Sequence, residues 1–153
     1  MLHARRIGAL KGDYEITADG RPIATWTNRM WRSGGSFTLG SGHYDVAASF
    51  LGSKYGMSDA QGKQVASAER VGRSRWTITA GGRTYEFARG SVWSGDQVLM
   101  ENGAAVGTVR KVNAWRGDAE ADLPGLDLAV QVFALVVVLT MWRAQEAAAA
   151  SNS

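Results

Sequence analysis

Three groups of polar residues in this sequence have the types and spacing that could do chemistry. In the first, Ser41, His43 and Asp45 alternate along a short stretch and would share one face of a strand. A serine hydrolase needs direct hydrogen bonds of about 2.6–3.2 Å among such residues, whereas same-face neighbours on one strand lie about 6.6 Å apart. The pattern therefore favours a polar strand face after a turn, and we predict no catalytic triad.

The second group is acidic. Asp118, Glu120 and Asp122 also alternate, and carboxylate oxygens are the ligands that hard cations prefer. The stretch lacks the glycine and the closing glutamate of an EF-hand loop, so a solvated strand face is the better interpretation. Because the chain has no cysteine and only two histidines, zinc is not expected either. We therefore predict no metal and no cofactor.

The third group is basic and consists of Arg70, Arg73, Arg75 and Arg83. Guanidinium groups match phosphate oxygens, and Trp76 would suit the boundary of a layer of lipid headgroups. We expect Arg83, across the Gly81-Gly82 hairpin from Trp76, to extend the group. These four are the candidate ligand-binding residues, with a solubilising surface loop as the competing interpretation. Arg110-Lys111 is a second basic pair, and it is a weaker indication of a phosphate-binding site.

The composition limits the classes of partner that this protein could bind. The net charge is +3, and thirteen of the seventeen basic residues are arginine, which indicates weak attraction to phosphate-bearing surfaces. The two glycine-rich stretches Gly34-Gly35 and Gly40-Ser41-Gly42 are predicted to be turns, because no Gly-Lys-Ser/Thr of a phosphate loop follows them. Six scattered tryptophans suit core packing better than base stacking, so no nucleic-acid partner is predicted. They are Trp26, Trp31, Trp76, Trp93, Trp115 and Trp142.

The elements that must position these groups begin with β-hairpins. Two alternating runs, Trp76–Ala80 and Arg83–Phe87, flank Gly81-Gly82, which is a two-residue connection typical of a hairpin. We predict another alternating strand over Tyr44–Phe50. Further turns are predicted at Asp19-Gly20, Asn102-Gly103 and, on a weaker signal, Gln61-Gly62. This spacing indicates an antiparallel meander of about ten to twelve strands.

Near the end of the chain, the segment Leu126–Trp142 reads LDLAVQVFALVVVLTMW and has no charge after Asp127. Gln131 and Thr140 would point to opposite sides of a helix, so this helix must be surrounded by lipid or by protein. Its uncharged run would span about 22 Å, against about 30 Å for a bilayer core, and we therefore prefer a buried helix. The valines also suit a strand, but the run exceeds the usual strand of about 5–6 residues.

Together these elements predict a fold. A sheet of about twelve strands should close to remove its edges, and so wide a barrel needs a filling. A helix that is apolar on every side fits that lumen. The predicted fold is mainly β: a closed antiparallel β-barrel of about 12 strands around a buried hydrophobic C-terminal α-helix. We expect one domain over residues 1–145 with a central helix 126–143, and a disordered Ala/Ser tail over residues 146–153.

Four segments carry a resemblance to a known family: Gly82–Phe87, Gly103–Val109, Ala119–Pro124 and the helix Leu128–Trp142. They resemble the tubby C-terminal superfamily, which includes tubby domains, phospholipid scramblases and LURP-one-related proteins. The resemblance implies membrane-associated work without an enzymatic active site, since tubby domains bind phosphoinositide headgroups through basic residues. The chain has no palmitoylatable cysteine cluster, no proline-rich N-terminal segment and no recognisable acidic calcium loop, so calcium-triggered scrambling is not expected.

We therefore predict a non-enzymatic LURP-one/tubby/scramblase-like domain that binds anionic phospholipid headgroups or a membrane-associated protein. The first residues, MLHARRIGALKGDYEI, contain no apolar region long enough for a signal peptide. The predicted location is the cytoplasm, either free or at the inner face of a membrane. The alternative is a small β-domain that residues 126–142 anchor in the bilayer as a C-terminal tail.

Overall fold

The computed structural model describes residues 1–8, 12–29, 34–90, 94–113 and 116–152. Within these ranges the chain forms twelve strands followed by one helix. In chain order they are β1 (Leu2–Ile7), β2 (Asp13–Ala18), β3 (Arg21–Asn28), β4 (Gly34–Leu39), β5 (Gly42–Ala48), β6 (Tyr55–Ser58), β7 (Gln64–Glu69), β8 (Arg75–Ala80), β9 (Arg83–Arg89), β10 (Gln97–Glu101), β11 (Ala104–Asn113), β12 (Asp118–Asp122) and α1 (Leu128–Ser151).

The strands form one closed antiparallel barrel. Each strand pairs with its neighbours in the chain, and β1 closes the barrel by pairing with β12, with Leu2 opposite Ala121. Closure gives every strand two neighbours and so leaves no free edge. The predicted fold class, a closed antiparallel barrel of about twelve strands with a C-terminal helix, is confirmed.

Local sequence accounts for the tight turns. Both residues of Asp19-Gly20, of Gly81-Gly82 and of Asn102-Gly103 have positive φ, between 50° and 82°. This is the conformation of a type I′ turn, whose twist matches that of the two strands it joins. Gln61-Gly62 lies in the longer turn between β6 and β7. All four predicted turns are therefore confirmed.

The prediction of a turn at Gly34-Gly35 is wrong. Both glycines belong to β4, where a Cβ on Gly34 would lie 2.1 Å from the carbonyl oxygen of Val46 and one on Gly35 would lie 2.1 Å from that of Thr27. Glycine is required here because neighbouring backbones approach closely, and not because the chain reverses. The other glycine-rich stretch, Gly40–Gly42, does contain the turn between β4 and β5.

Because consecutive strands are antiparallel, the connections between them alternate between the two ends of the barrel. We call the end that contains the turns at residues 19–20, 81–82 and 102–103 the lower end. The upper end contains the connections at residues 49–54 and 70–74. The chain leaves β12 at the lower end, and the helix begins there.

The helix α1 runs through the barrel from the lower to the upper end. Its residues Val132–Leu139 are between 0% and 3% exposed, so the segment is surrounded on all sides. At the upper end, Trp142 Nε1 donates a hydrogen bond of 2.9 Å to the carbonyl oxygen of Gly95. The two polar side chains of the buried run bond to nearby carbonyls: Gln131 Nε2 to Leu126 O at 2.8 Å and Thr140 Oγ1 to Val136 O at 2.7 Å. The helix is thus the core of the barrel.

Each of the twelve strands contributes buried apolar side chains to the core around the helix. Trp76 and Phe87 stack with ring centroids 4.4 Å apart, and both are fully buried. Trp26 and Trp142 are also buried, which confirms core packing for three of the six tryptophans. The other three, Trp31, Trp93 and Trp115, lie outside the described residues.

The helix is longer than predicted. It begins at Leu128 and continues to Ser151, so the tail over residues 146–153, predicted to be disordered, is helical as far as Ser151. Alanine has the highest helix propensity, and the run Ala147–Ala150 only has to extend a helix that the barrel has already formed. By length and composition α1 could also cross a membrane, although 61% of its most apolar stretch is buried inside the barrel.

Candidate functional site

The hydrolase-like residues lie on the outer face of the barrel. His43 Nδ1 is 3.2 Å from Thr38 Oγ1, and its Nε2 is 3.7 Å from Asp45 Oδ1. Both ring nitrogens therefore face partners other than Ser41, which is exposed in the turn before β5. The prediction of a polar strand face is therefore confirmed for His43 and Asp45, whereas Ser41 belongs to the turn and not to the strand.

The acidic residues of β12 are less solvated than predicted. Glu120 is only 9% exposed, because Arg110 on β11 forms a charged hydrogen bond with it and His3 on β1 lies 3.7 Å away. Asp118 Oδ1 accepts a backbone N–H of β1 at 3.0 Å. These partners come from both neighbouring strands, so pairing in the sheet determines the burial. Among the described residues no group of three histidine, cysteine or acidic side chains could hold a metal ion.

The four candidate arginines divide between the two ends of the barrel. Arg70 and Arg73 lie in the β7–β8 connection at the upper end, and Arg75 begins β8 there. Arg83 pairs with Ala80 at the lower end. The length of β8, about 17 Å for five residue steps, separates it from the others, so the expectation that Arg83 extends the group is wrong.

The arginines also differ in their partners. Arg75 Nη1 is 3.2 Å from Glu86 Oε1 across the hairpin, and the guanidinium carbon of Arg83 lies 5.2 Å from the centre of the Tyr85 ring. Both charges are therefore partly engaged by neighbours. Within the part of the chain that the structure describes, Arg70, Arg73 and Lys54 take part in no ion pair.

The sequence pattern misplaced Phe50. The alternating strand predicted over Tyr44–Phe50 ends at Ala48, and Phe50 and Leu51 stand in the following loop with exposed fractions of 100% and 85%. We call these two residues the apolar tip. Two adjacent apolar residues before Gly52 break the alternation of a strand, and this was the signal in the sequence that could have identified the loop.

The loop that carries the apolar tip is held by its own backbone. Ser49 N–H donates to Lys54 O at 2.8 Å, and Gly52 N–H donates to Ser49 O at 2.9 Å. The Ser49 side-chain oxygen in turn accepts Lys54 N–H at 3.2 Å. These bonds close residues 49–54 into a compact turn, with Phe50 and Leu51 at its tip.

A second loop is bonded to the first. Val71 N–H in the β7–β8 connection donates to Ser53 O at 3.0 Å, and Val71 is buried. This bond joins the loop of the apolar tip to the loop that carries the exposed Arg70 and Arg73. We call Lys54, Arg70 and Arg73 the basic rim. Glu69 is the exposed acidic neighbour of the rim.

Arg70 occupies an unusual backbone conformation, with φ of 60°. A side chain in this left-handed region costs about 1–2 kcal/mol relative to the ordinary helical region, and glycine avoids that cost. The position therefore holds a charged side chain where the backbone alone would favour glycine.

A surface depression lies at the opposite, lower end of the barrel. Its volume is about 440 Å³, and its walls include Met57, Tyr85 and Val130 beside the start of the helix. Its charged groups are two carboxylates, Asp59 and Asp127, and one ammonium group, that of Lys63. This balance does not favour an anion, so the depression is a poor match for a phosphate headgroup.

A small polar cavity lies beside the helix at the upper end of the barrel. Its volume is about 70 Å³, and it is lined by the side chains of Tyr14, Lys111, Trp142 and Glu146, among others. Lys111 Nζ lies 5.1 Å from the centre of the Trp142 ring and 3.6 Å from Glu146 Oε1. Burial raises the pKa of the Tyr14 hydroxyl, and the nearby Arg6 guanidinium opposes that rise. Lys111, the second member of the predicted basic pair, is thus engaged with the end of the helix.

Comparison with known proteins gave no match. No family model, no curated protein and no solved structure is significantly similar to this chain. The resemblance to the tubby C-terminal superfamily therefore stays a prediction.

Proposed function

We propose that this protein is a non-enzymatic domain that binds anionic phospholipid headgroups at the cytoplasmic face of a membrane. The basic rim at the upper end would make the contact. The observation that supports this most directly is that three basic groups, without ion-pair partners among the described residues, lie in the loop of the exposed apolar tip and in the loop bonded to it. The hydrogen bond from Val71 N–H to Ser53 O, 3.0 Å long, holds the two loops together.

The charge of the rim suits a weak, reversible contact. A lysine or arginine near an anionic membrane surface contributes about 1 kcal/mol. Three such groups would therefore contribute a few kcal/mol of binding free energy at most, and repulsion between Glu69 and the membrane surface would reduce this total. Because the groups are exposed, added salt would screen the attraction over the Debye length of about 8–10 Å.

The filled lumen also restricts where a ligand can bind. Val132–Leu139 fill the centre of the barrel and are themselves only 0–3% exposed, so the lumen has no space for a ligand. A headgroup must therefore bind on the outer surface. The resemblance to the tubby C-terminal superfamily points to the same class of ligand, although it identifies no residue of the rim.

Vesicle sedimentation tests the proposal. The full-length protein is mixed with vesicles of neutral phosphatidylcholine and with vesicles that also contain anionic lipid, at low and at high salt. We expect binding to the anionic vesicles only, and weaker binding at high salt. The double variant Arg70→Gly/Arg73→Gln should bind at least about tenfold less, since two favourable charges are lost. Arg70→Gly also suits the positive φ of that residue, so folding should be retained.

The matched control removes the same charge from the other end. Arg21 and Arg83 begin β3 and β9 at the lower end and are exposed. Arg21→Gln/Arg83→Gln changes the net charge equally and should bind like the unaltered protein. Equal loss in both double variants would show that only net charge matters, and would refute the assignment to the upper end. Absence of binding to anionic vesicles would refute the proposed function.

A further inference from the structure

The apolar tip is the outlier among the exposed side chains of this protein. The other large apolar side chains that are exposed within the described residues have exposed fractions between 38% and 53%. Phe50 and Leu51, at 100% and 85%, keep essentially all of their apolar surface in water. Single exposed apolar residues are common on protein surfaces, but two adjacent ones at the tip of a loop mark a site of contact.

The conformation of the tip does not depend on a partner. Hydrogen bonds within residues 49–54 close the loop, and Ser53 O is fixed to the neighbouring loop by Val71 N–H. A loop that is already held in shape loses little conformational entropy on binding. The structure therefore presents Phe50 and Leu51 outward without support from the barrel core.

The charges around the tip indicate which surface it would contact. Lys54 is in the same loop, and Arg70 and Arg73 are in the loop bonded to it. A partner that covers the tip must place its own surface against these cations. An anionic bilayer combines the two properties required: negative headgroups at its surface and an apolar layer just beneath them.

We propose that Phe50 and Leu51 insert into the interfacial layer of an anionic bilayer while the basic rim contacts the headgroups. The barrel then docks with its upper end toward the membrane. This inference rests on the proposed function and adds to it a contact with the lipid chains, together with an orientation. Insertion contributes an attraction that salt does not screen, so it predicts residual binding at high salt.

The end of the helix is compatible with this orientation. Residues 144–151 project from the upper end, and helix geometry gives them a length of about 12 Å. Beyond Glu146 the described part of this projection carries no charged side chain. A bilayer that approaches the tip would therefore meet an alanine-rich helix end whose described residues beyond Glu146 have no charged side chain to be desolvated.

Fluorescence labelling tests the insertion directly. The chain contains no cysteine, so a single introduced thiol can carry an environment-sensitive label such as NBD. We expect the label on Leu51→Cys to shift to the blue on addition of anionic vesicles and to be quenched by lipids with spin labels on their chains. The same label on Ser41→Cys, in the exposed turn at the lower end, should show neither change.

A polar substitution provides the second measurement. Phe50→Ser/Leu51→Ser should weaken sedimentation with anionic vesicles by at least about tenfold and abolish the binding that persists at high salt. The matched control is Val106→Ser/Leu128→Ser, which removes apolar groups that are 38% and 41% exposed elsewhere on the barrel. That control should bind like the unaltered protein.

The two proposals fail in different ways. If the protein sediments with anionic vesicles but the label on residue 51 stays in water, insertion is refuted and headgroup binding stands. If the label enters neutral vesicles equally well, insertion stands and the anionic preference is refuted. If the label shifts with protein concentration in the absence of vesicles, and Phe50→Ser/Leu51→Ser disrupts a dimer, the tip is a contact between copies and the bilayer proposal is overturned.

Discussion

At the scale of single residues, the centre of the helix is the position where a charge is least tolerated. Val137 is 0% exposed, and an aspartate there would be buried without a partner. We expect Val137→Asp to destabilise the fold by about 3–5 kcal/mol or to prevent folding. Urea denaturation followed by circular dichroism measures this loss of stability.

The control for that substitution lies on the same helix. Ala147→Asp introduces the same charge on the exposed projection, where we expect a change below about 1 kcal/mol. If the loss of stability at Val137 were as small as the loss at Ala147, the centre of α1 would be solvated, which contradicts its place in the core.

Tyr55 makes the stability of the protein depend on pH. Burial raises the pKa of its hydroxyl from 10.0 to about 12. Because the folded state has the higher pKa, the contribution of this group is complete below pH 10 and is lost as the pH rises from about 10 through about 12.

We therefore expect the Tyr55→Phe variant to lose less free energy of unfolding over this range than the unaltered protein. At pH 11.5 the difference should be about 2 kcal/mol, which follows from the two pKa values. Urea denaturation of both proteins at pH 8, 10 and 11.5 tests it. Parallel losses in the two proteins would show that Tyr55 ionises normally in the folded state.

At the scale of elements, α1 should be essential for the barrel. Removing residues 126–153 takes away Val132–Leu139 and leaves the inward side chains of all strands around an empty lumen. We expect this truncated chain not to fold, because the inner surface of the wall would lose its apolar contacts. Far-ultraviolet circular dichroism and amide dispersion in NMR spectra provide the measurement.

A shorter truncation separates the buried and the projecting parts of the helix. Removing residues 147–153 deletes only exposed or undescribed positions, so this variant should keep the fold. If the chain without residues 126–153 is well folded and soluble, the helix is dispensable, and the membrane-anchored alternative gains support.

Elements with local signals could be predicted from the sequence, and those that depend on distant backbone could not. The Asp19-Gly20 turn was predictable because positive φ at both positions is a property of the two residues themselves. Gly34-Gly35 was misassigned because its glycines are required by Val46 and Thr27 of neighbouring strands. Glycine indicates a special backbone position, but it does not distinguish a turn from a close approach.

The candidate site was only half predictable for a similar reason. Arg70 and Arg73 were identified from their clustering, and the structure places them together at the upper end. Phe50 was assigned to a strand because it continued the alternation of Tyr44 and its successors. Whether an apolar residue at the end of such a run faces the core or the solvent depends on where the strand pairing stops.

At the scale of the whole molecule, the proposals predict how the protein partitions in a cell extract. On these proposals, and because α1 lies inside the barrel, the described residues that would contact a membrane are those of the rim and the tip. We expect high salt to release only part of any membrane-bound fraction of the full-length protein, since the inserted tip is not screened, and alkaline washing to release the rest without detergent. A requirement for detergent would favour the alternative in which residues 126–142 span the bilayer.

The sequence alone determined that this protein has an antiparallel meander and one helix that must be surrounded, because turn chemistry and apolar periodicity are properties of neighbouring residues. Only the tertiary structure decided what surrounds that helix and which side chains remain outside. Closure of β1 on β12 creates the lumen that buries Val132–Leu139. The bond between Val71 and Ser53 places the basic rim beside the apolar tip. Both depend on contacts between residues far apart in the chain, whose geometry no local pattern encodes.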